Sequence, residues 1–335
     1  MYNIAVIGYG YWGPNLVRNI KNHRDCDLKY ICEINKRYRT KAKSENESVI
    51  ILSDYKDILN DQSIDAVFVA TPLDTHFELA KNILNSNKHL FITKPTVQNC
   101  KQIDKLIKLS ISKKLIAVTD HTYIFSNAIN KIKEIIDSGE LGEITYFDSV
   151  RVNLGIFQND LDVVWDLAPH DLSILFYLTK LNPIALTSNG VSHLNNGLID
   201  IAYLTLHYKE NFIANFHLNW FSPTKIRKII IGGTKKMIIF DDLKSDEKIR
   251  VYDRGIQRLG KSEINKILVE YRFGEINIPK ILNQESLKIE IDNFIEQIKH
   301  GTLNSINDLK NSKKIIKILE KHTTSIKKDK KIGLI

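Results

Sequence analysis

Asp166 and His170 stand four residues apart in the segment Trp165-Asp166-Leu167-Ala168-Pro169-His170-Asp171. On a helix that spacing puts both side chains on one face. A carboxylate beside an imidazole orients the ring and supports its positive charge, an arrangement suited to taking a hydroxyl proton. The same segment reads equally as a helix start, with Asp166 as the N-cap and Pro169 in the first turn. Lys94 precedes Pro95 at the end of an apolar run. The proline forbids a further ladder bond and restricts the lysine backbone. A lysine so placed stabilises negative charge on a reacting oxygen, or is an ordinary surface lysine.

A third feature supplies a partner for that chemistry. Residues 4–33 read IAVIGYGYWGPNLVRNIKNHRDCDLKYICE. An apolar run meets Gly8, Gly10 and Gly13 at G-x-G-x-x-G spacing, a helical pattern follows, and a second apolar run ends in Glu33. Gly8 permits the tight turn, Gly10 lets a pyrophosphate approach the backbone, and Gly13 lets the helix pack close to the sheet. N–H groups of the helix's first turn face the phosphates. Glu33 lies where a carboxylate accepts both ribose hydroxyls, which predicts NAD rather than NADP as cofactor. Lys36 and Arg37 lie close by and weaken that preference.

The elements that must position these residues follow from the periodicity. Over residues 1–121 the runs at 4–7, 28–32, 66–70, 90–92 and 115–118 read as buried strands, with helices between them at 76–86 and 99–112. That alternation predicts βαβ units and a parallel sheet, with ligands at the carboxyl ends of the strands. Thr71-Pro72, Thr75 and His76 follow one such run, Thr93 and Lys94 the next, and Asp120, His121, Thr122 and Tyr123 the last. His76 and His121 are each more ordinary as helix-start or supporting histidines than as catalysts.

From 122 to 335 the character changes. A helix at about 127–138 precedes β-rich runs at 144–153, 184–192, 198–208, 211–220, 226–232 and 235–241. A helix from Val163 to Leu178 interrupts them. Asn211 and Gly232-Gly233-Thr234 read as turns between antiparallel neighbours. Lys236 and Tyr252 belong to β-rich segments and read as structural. Two terminal helices, near 285–300 and 307–325, count with this second domain or pack back on the first. Leu287, Ile291, Phe294 and Ile298 recur there at helical spacing. The expected class is α/β: a Rossmann dinucleotide-binding domain, then an α+β domain with a large, mostly antiparallel open sheet.

Bulk properties bound the rest. The 335 residues are 43% hydrophobic and 26% charged, a globular profile with room for two domains. No apolar run approaches the roughly 20 residues that span a bilayer, and Met1 leads almost directly into the first strand without a targeting pattern. Cys26, Cys32 and Cys100 form no metal-type or disulfide framework, which fits a reducing cytoplasm. The histidines and acids show no H-x-H or H-x-x-x-H pair, so no metal is expected. There is no G-x-S-x-G elbow. The net charge of +9 favours an anionic small substrate; part of it lies in Lys327, Lys328, Lys330 and Lys331 near the C-terminus. No nucleic-acid module is recognisable.

Five segments together resemble the glucose-fructose oxidoreductase / inositol dehydrogenase family, Gfo/Idh/MocA. They are GYGYWGPNLVRN at 8–19, DAVFVATPLDTHFELAKNIL at 65–84, TKP at 93–95, VVWDLAPHDLSIL at 163–175 and NWFSPTKIRKIIIGGTKKMIIFDD at 219–242. The resemblance implies a catalytic lysine at Lys94 and a D-x-x-x-H pair at Asp166 and His170, the histidine being the acid/base. It implies cofactor contacts at Gly8, Gly10, Tyr11, Trp12, Gly13, Glu33, Thr71, Pro72, His76, Thr93 and Lys94. Substrate contacts are expected at Lys94, Tyr123, Arg151, Asn153, Asp166 and His170, with Arg151 the best partner for a phosphate or carboxylate. Thr93 replaces the glutamate of the family's E-K-P motif, and Ala168 a common glycine. The open sheet commonly forms the oligomer interface, which implies a homodimer or homotetramer.

The GYWGPNLVRN and WDLAPHD signatures resemble a branch associated with bacterial surface-sugar genes. The related activities there include oxidation at C3 of UDP-N-acetylglucosamine or its uronate, the keto sugar then being aminated by a separate enzyme. The resemblance therefore implies a UDP-linked anionic sugar as substrate. Dehydrogenation or ketoreduction of another sugar or polyol, and a non-catalytic Rossmann binding protein, are the alternatives.

Overall fold

A computed structural model describes residues 1–155, 161–193, 197–258 and 269–327. The chain divides into two compact units. The first takes Met1–Phe125 and regains Gln284–Glu320; the second takes Ser126–Asn283 and the chain from Lys321 onward.

In the first unit the strands are β1 (Tyr2–Ile7), β2 (Cys26–Cys32), β3 (Ile50–Leu52), β4 (Ala66–Val69), β5 (His89–Ile92) and β6 (Ala117–Thr119). Between them run α1 (Gly13–Lys21), α2 (Lys36–Glu45), α3 (Lys56–Asn60), α4 (Leu73–Asn85) and α5 (Cys100–Ser112), and a 3₁₀ turn spans Thr122–Phe125. The sheet is parallel in the order β3-β2-β1-β4-β5-β6. The order reverses between β1 and β4, and a ligand crevice opens outside the carboxyl ends of strands at such a point. The strands read as continuous apolar runs because helices cover both faces: all four residues of β4 are buried. The sequence pattern passes over α2, β3 and α3. Lys36–Glu45 has one buried residue, Ala42, so it shows no apolar stripe to read.

The second unit holds α6 (Asn127–Asp137), β7 (Ile144–Leu154), α7 (Val163–Thr179), β8 (Ala185–Val191), β9 (Ile201–His207), β10 (Ile213–Asn219), β11 (Phe221–Gly233), β12 (Met237–Asp241), β13 (Ile249–Arg258) and β14 (Val269–Asn277). Eight strands form one sheet in the order β14-β13-β12-β11-β7-β10-β9-β8, antiparallel except for the β7–β10 pair. α7 packs on β7, β9 and β10, and the inward residues of β9 and β10, such as Leu204, Leu206, Phe216 and Leu218, are buried. The alternate residues Val150, Tyr203, Ile213 and Ile230 stay partly open. Asp162, not Asp166, caps α7, its Oδ1 accepting from the N–H groups of Val164 and Trp165, both at 2.9 Å. Asp166 is one turn further in, and Pro169 lies inside the helix rather than in its first turn.

The chain then continues through α8 (Ser286–His300) and α9 (Leu309–Lys327). α8 belongs to the first unit. Leu287, Ile291, Phe294 and Ile295 join its core, where the Phe294 ring sits edge-on to Phe68 and Phe91 at 5.4 and 5.5 Å. The lysines at 328, 330 and 331 lie outside the described residues, as does the side chain of Lys327.

Candidate active site

At the carboxyl edge of the first unit, Gly8 adopts φ +99°, and a Cβ there would lie 2.2 Å from the Ala70 carbonyl oxygen. The turn out of β1 thus runs hard against the end of β4, where only glycine fits. A Cβ on Gly13 would lie 2.2 Å from the Gly8 oxygen, so α1 starts directly above the turn. At Gly10 a Cβ would meet nothing within 4 Å. Open space over a backbone that must stay bare is the cradle a pyrophosphate fills. α1 has no side-chain cap at Trp12; Pro14 carries no N–H and the Asn15 N–H bonds the Trp12 carbonyl at 3.0 Å, which leaves the Gly13 N–H for an anion. These residues fit a dinucleotide.

Glu33 is buried at the end of β2. Its Oε2 accepts from the Tyr9 N–H at 2.7 Å and its Oε1 from the Asn35 N–H at 2.8 Å. The carboxylate therefore braces the glycine-rich turn, and each oxygen keeps a second lone pair for a ribose hydroxyl. Tyr9 is locked below the turn, its hydroxyl donating to Glu45 Oε2 at 2.8 Å and accepting from Asn46 at 3.0 Å. Arg39 donates to the carbonyls of Glu33 and Ile34, both at 2.9 Å. Its cation, with Lys36 and Arg37, offsets part of the repulsion Glu33 offers a 2′-phosphate. We expect NAD(H) to bind about tenfold or more tighter than NADP(H), the worth of one charged hydrogen bond. Titrating both cofactors decides it, and equal or tighter NADP(H) binding overturns it.

Thr71 and Pro72 follow β4, and the Thr71 hydroxyl bonds that of Thr75 at 2.7 Å. His76 is buried, with ring nitrogens 2.9 Å from the Pro95 carbonyl and 2.8 Å from that of Thr71. Both partners are acceptors, so a neutral ring satisfies one at a time, and burial holds the histidine below its ordinary pKa. His76 thus ties the loop after β4 to the Lys94-Pro95 segment after β5. The Thr93 N–H donates to the Val69 carbonyl at 3.0 Å. The Lys94–Pro95 peptide is cis. His121 is buried and pushed down to about 3, first by burial and then by the Lys94 ammonium. Tyr123 lies in the 3₁₀ turn after β6, and Tyr11 is exposed on the glycine-rich turn.

In the second unit, Asp166 and His170 share one face of α7, as their spacing predicts. The Trp220 indole N–H donates to Asp166 Oδ2 at 3.3 Å. Gly155 lies against Trp220 and Asn153: a Cβ there would come within 2.7 Å of the indole and 3.2 Å of Asn153 Nδ2. Asn153, Asp166 and Trp220 therefore meet at one corner. Arg151 faces the helix, buried, with Nε and Nη2 donating to the Asp171 carboxylate at 2.9 and 2.6 Å. Ser149 donates to the same carboxylate at 2.8 Å. That pair braces β7 against α7 and fixes the helix bearing Asp166 and His170.

The sequence places Asp120 after a strand at the ligand edge without giving it a role, and it singles out neither Trp220 nor Glu290. Trp220 lies inside the 219–242 segment, but nothing local marks it as the partner of Asp166, 54 residues away. Among the described residues no group of three or more metal-ligating side chains occurs, and no helix is long and apolar enough to cross a membrane. The three cysteines are free. Burial pushes the Cys26 and Cys32 thiols up to about 12, so neither is a nucleophile.

A bare glycine cradle at the sheet's switch point, with an acid at the end of β2, defines a dinucleotide-binding Rossmann protein. Comparison with known proteins takes the assignment one step further. Residues 2–121 match the oxidoreductase family model with its NAD-binding Rossmann fold, and residues 129–239 match the Gfo/Idh/MocA C-terminal domain. The chain belongs to the Gfo/Idh/MocA oxidoreductase family, and NAD is the cofactor of its first domain. A myo-inositol 2-dehydrogenase of Thermotoga maritima is 24% identical over 321 residues, 89% of this chain and 88% of that one. A UDP-N-acetylglucosamine 3-dehydrogenase of Acidithiobacillus ferrooxidans is 25% identical over 195 residues, 57% of this chain and 59% of that one. Its solved structure superposes with TM-score 0.79 at 19% identity, covering 97% and 98% of the two chains. GenD2 from gentamicin A biosynthesis, solved in complex with NAD, gives TM-score 0.80 at 15% identity over 100% and 96%. Both structural likenesses show the fold. The match spans 64% and 69% of the length of two further relatives, uncharacterized oxidoreductases of Bacillus subtilis and Escherichia coli.

Proposed function

We propose that this chain is an NAD-dependent dehydrogenase acting on a secondary hydroxyl, at C3, of a nucleotide-linked amino sugar such as UDP-N-acetylglucosamine or its uronate. Its place would be bacterial surface polysaccharide biosynthesis, in the cytoplasm. The observation that carries the reading is the imidazole–carboxylate face of α7, with Asp166 held by Trp220. His170 takes the hydroxyl proton, and Asp166 orients and electrostatically supports the imidazolium. Lys94, at the family's E-K-P position, is assigned the stabilisation of negative charge on the reacting oxygen. NAD, which the turn at Gly8, Gly10 and Gly13 and the Glu33 carboxylate would hold, would supply the hydride acceptor for that carbon when bound. Tyr123 and Asn153 supply neutral sugar contacts. Arg151 as an anion contact has less support, since two of its nitrogens serve Asp171.

The breadth of the inositol dehydrogenase match, 89% of this chain, favours a second reading: oxidation of a free polyol or sugar. Binding and turnover of UDP-sugars, free hexoses and inositols with the NAD-loaded protein separate the two. We expect UDP-sugars to be preferred. Far better turnover of free inositol or glucose removes the nucleotide-sugar reading.

We also propose a homodimer or homotetramer. The sheet face opposite α7 leaves Tyr203 55% and Ile213 39% exposed, and apolar surface of that kind needs a cover. Light scattering at micromolar concentration should give a multiple of the 38.6 kDa chain. A monomer overturns this.

A further inference from the structure

The first unit holds a buried polar chain that the proposed chemistry does not use. Trp12, at the start of α1, donates its indole N–H to Asp120 Oδ2 at 2.6 Å. Asp120 follows β6, and its other oxygen accepts from the Thr122 hydroxyl at 2.5 Å and the Thr122 N–H at 3.3 Å. Next to Asp120 stands Glu290 of α8, fully buried. Glu290 Oε1 accepts from the His121 N–H at 2.8 Å and from Asn307 Nδ2 at 3.0 Å, and its side chain also hydrogen-bonds that of Asp120.

From this chain we infer that Asp120, backed by Glu290, is a positioning residue of the cofactor site: it sets the Trp12 indole, and with it the glycine-rich turn, for the dinucleotide. Trp12 and Asp120 follow β1 and β6, which lie three places apart in the sheet order. The hydrogen bond therefore ties the middle of the carboxyl edge, at β1, to its β6 end, across the edge along which a dinucleotide extends. Trp12 immediately precedes Gly13, whose place against the Gly8 carbonyl admits no Cβ, so fixing the indole fixes the start of α1. The inference deepens the NAD site and does not depend on which substrate is oxidised.

The protonation pattern supports it. Two carboxylates buried side by side cannot both be ionised. Asp120 accepts three donors and keeps the charge. Glu290 carries the proton and hydrogen-bonds the Asp120 carboxylate through it. Burial first, then the Asp120 charge, holds Glu290 well above its ordinary value, and burial raises Asp120 as well. The other groups facing this pair are the His121 ring, neutral and 3.2 Å from Ser312, and Lys94, which acts on that ring.

The test is NAD affinity by calorimetry alongside thermal unfolding. Asp120→Asn and Trp12→Phe should each raise the NAD Kd about tenfold, the worth of a charge-assisted hydrogen bond. The double variant should lose little more than either single one, because both remove one interaction. Glu290→Gln, an isostere of the protonated acid, should keep NAD affinity, and Glu290→Ala should lose it. Glu290 is protonated when folded and ionises near 4.5 when unfolded, so the folded state binds the extra proton above that pH. Wild-type stability relative to Glu290→Gln should therefore fall as pH rises from about 4.5. NAD affinity unchanged in Trp12→Phe, or additive losses in the double variant, overturns the inference. Loss of affinity in Glu290→Gln equal to that in Glu290→Ala overturns the assignment of the proton. A protein that passes these tests yet oxidises no sugar keeps this inference and loses the functional proposal.

Discussion

His170→Ala and Lys94→Ala should each lower kcat at least about a hundredfold while leaving NAD affinity much less changed. General acid–base catalysis contributes roughly 10²–10⁴-fold, and a charged donor at the developing oxyanion about 10²–10³-fold. The cofactor phosphates are held elsewhere, by the turn at Gly8, Gly10 and Gly13, so binding and chemistry separate. Asp166→Asn should fall on the same side of that division, with kcat reduced and NAD affinity kept, because it orients the imidazole rather than the cofactor. Single-turnover rates and NAD titrations on each variant make the comparison. Near-normal turnover in His170→Ala would mean that another group, Tyr123 or Lys94 itself, moves the proton.

Gly8→Ala and Gly10→Ala should part company, although both remove a glycine of one motif. At Gly8 the backbone is left-handed and the added Cβ would lie 2.2 Å from a main-chain oxygen. Backbone of the adjoining strand cannot give way by that much, so Gly8→Ala should lose NAD binding and a large part of its stability together. At Gly10 the added carbon meets no protein atom within 4 Å. Gly10→Ala should keep the wild-type Tm within a degree or two and still weaken NAD by about tenfold or more, the new carbon standing where the pyrophosphate approaches the backbone. Thermal unfolding and NAD titration of the two proteins read this out. A Gly10→Ala protein that binds NAD as well as wild type would place the phosphates away from this turn.

Much of the cofactor half was legible because its signals are local. A strand, a helix start and the close approach of Gly13 to Gly8 are fixed by contacts within a dozen residues, and the acid at the end of the next strand lies at a set distance along one βαβ unit; only the seat of Gly8 against Ala70 is long-range. The same holds for the face shared by Asp166 and His170, which follows from the helical repeat alone.

What the sequence by itself determined, then, is which residue types stand at which ends of which elements. The tertiary structure decided what each of them touches. Glu33 reads as a ribose acceptor, yet folding turns its two oxygens to the N–H groups of Tyr9 and Asn35 as well. Arg151 reads as an anion contact, yet it faces α7 and meets Asp171. Asp166 reads as a cap until Asp162, four residues earlier, takes that place. Glu290 reads as one acid on an amphipathic helix, and only the return of Gln284–Glu320 to the first unit brings it to His121, 169 residues away in sequence. The physical reason is common to all four. A polar side chain's partner is chosen by whichever group arrives beside it when apolar surface is buried, and that choice has no period or spacing along the chain.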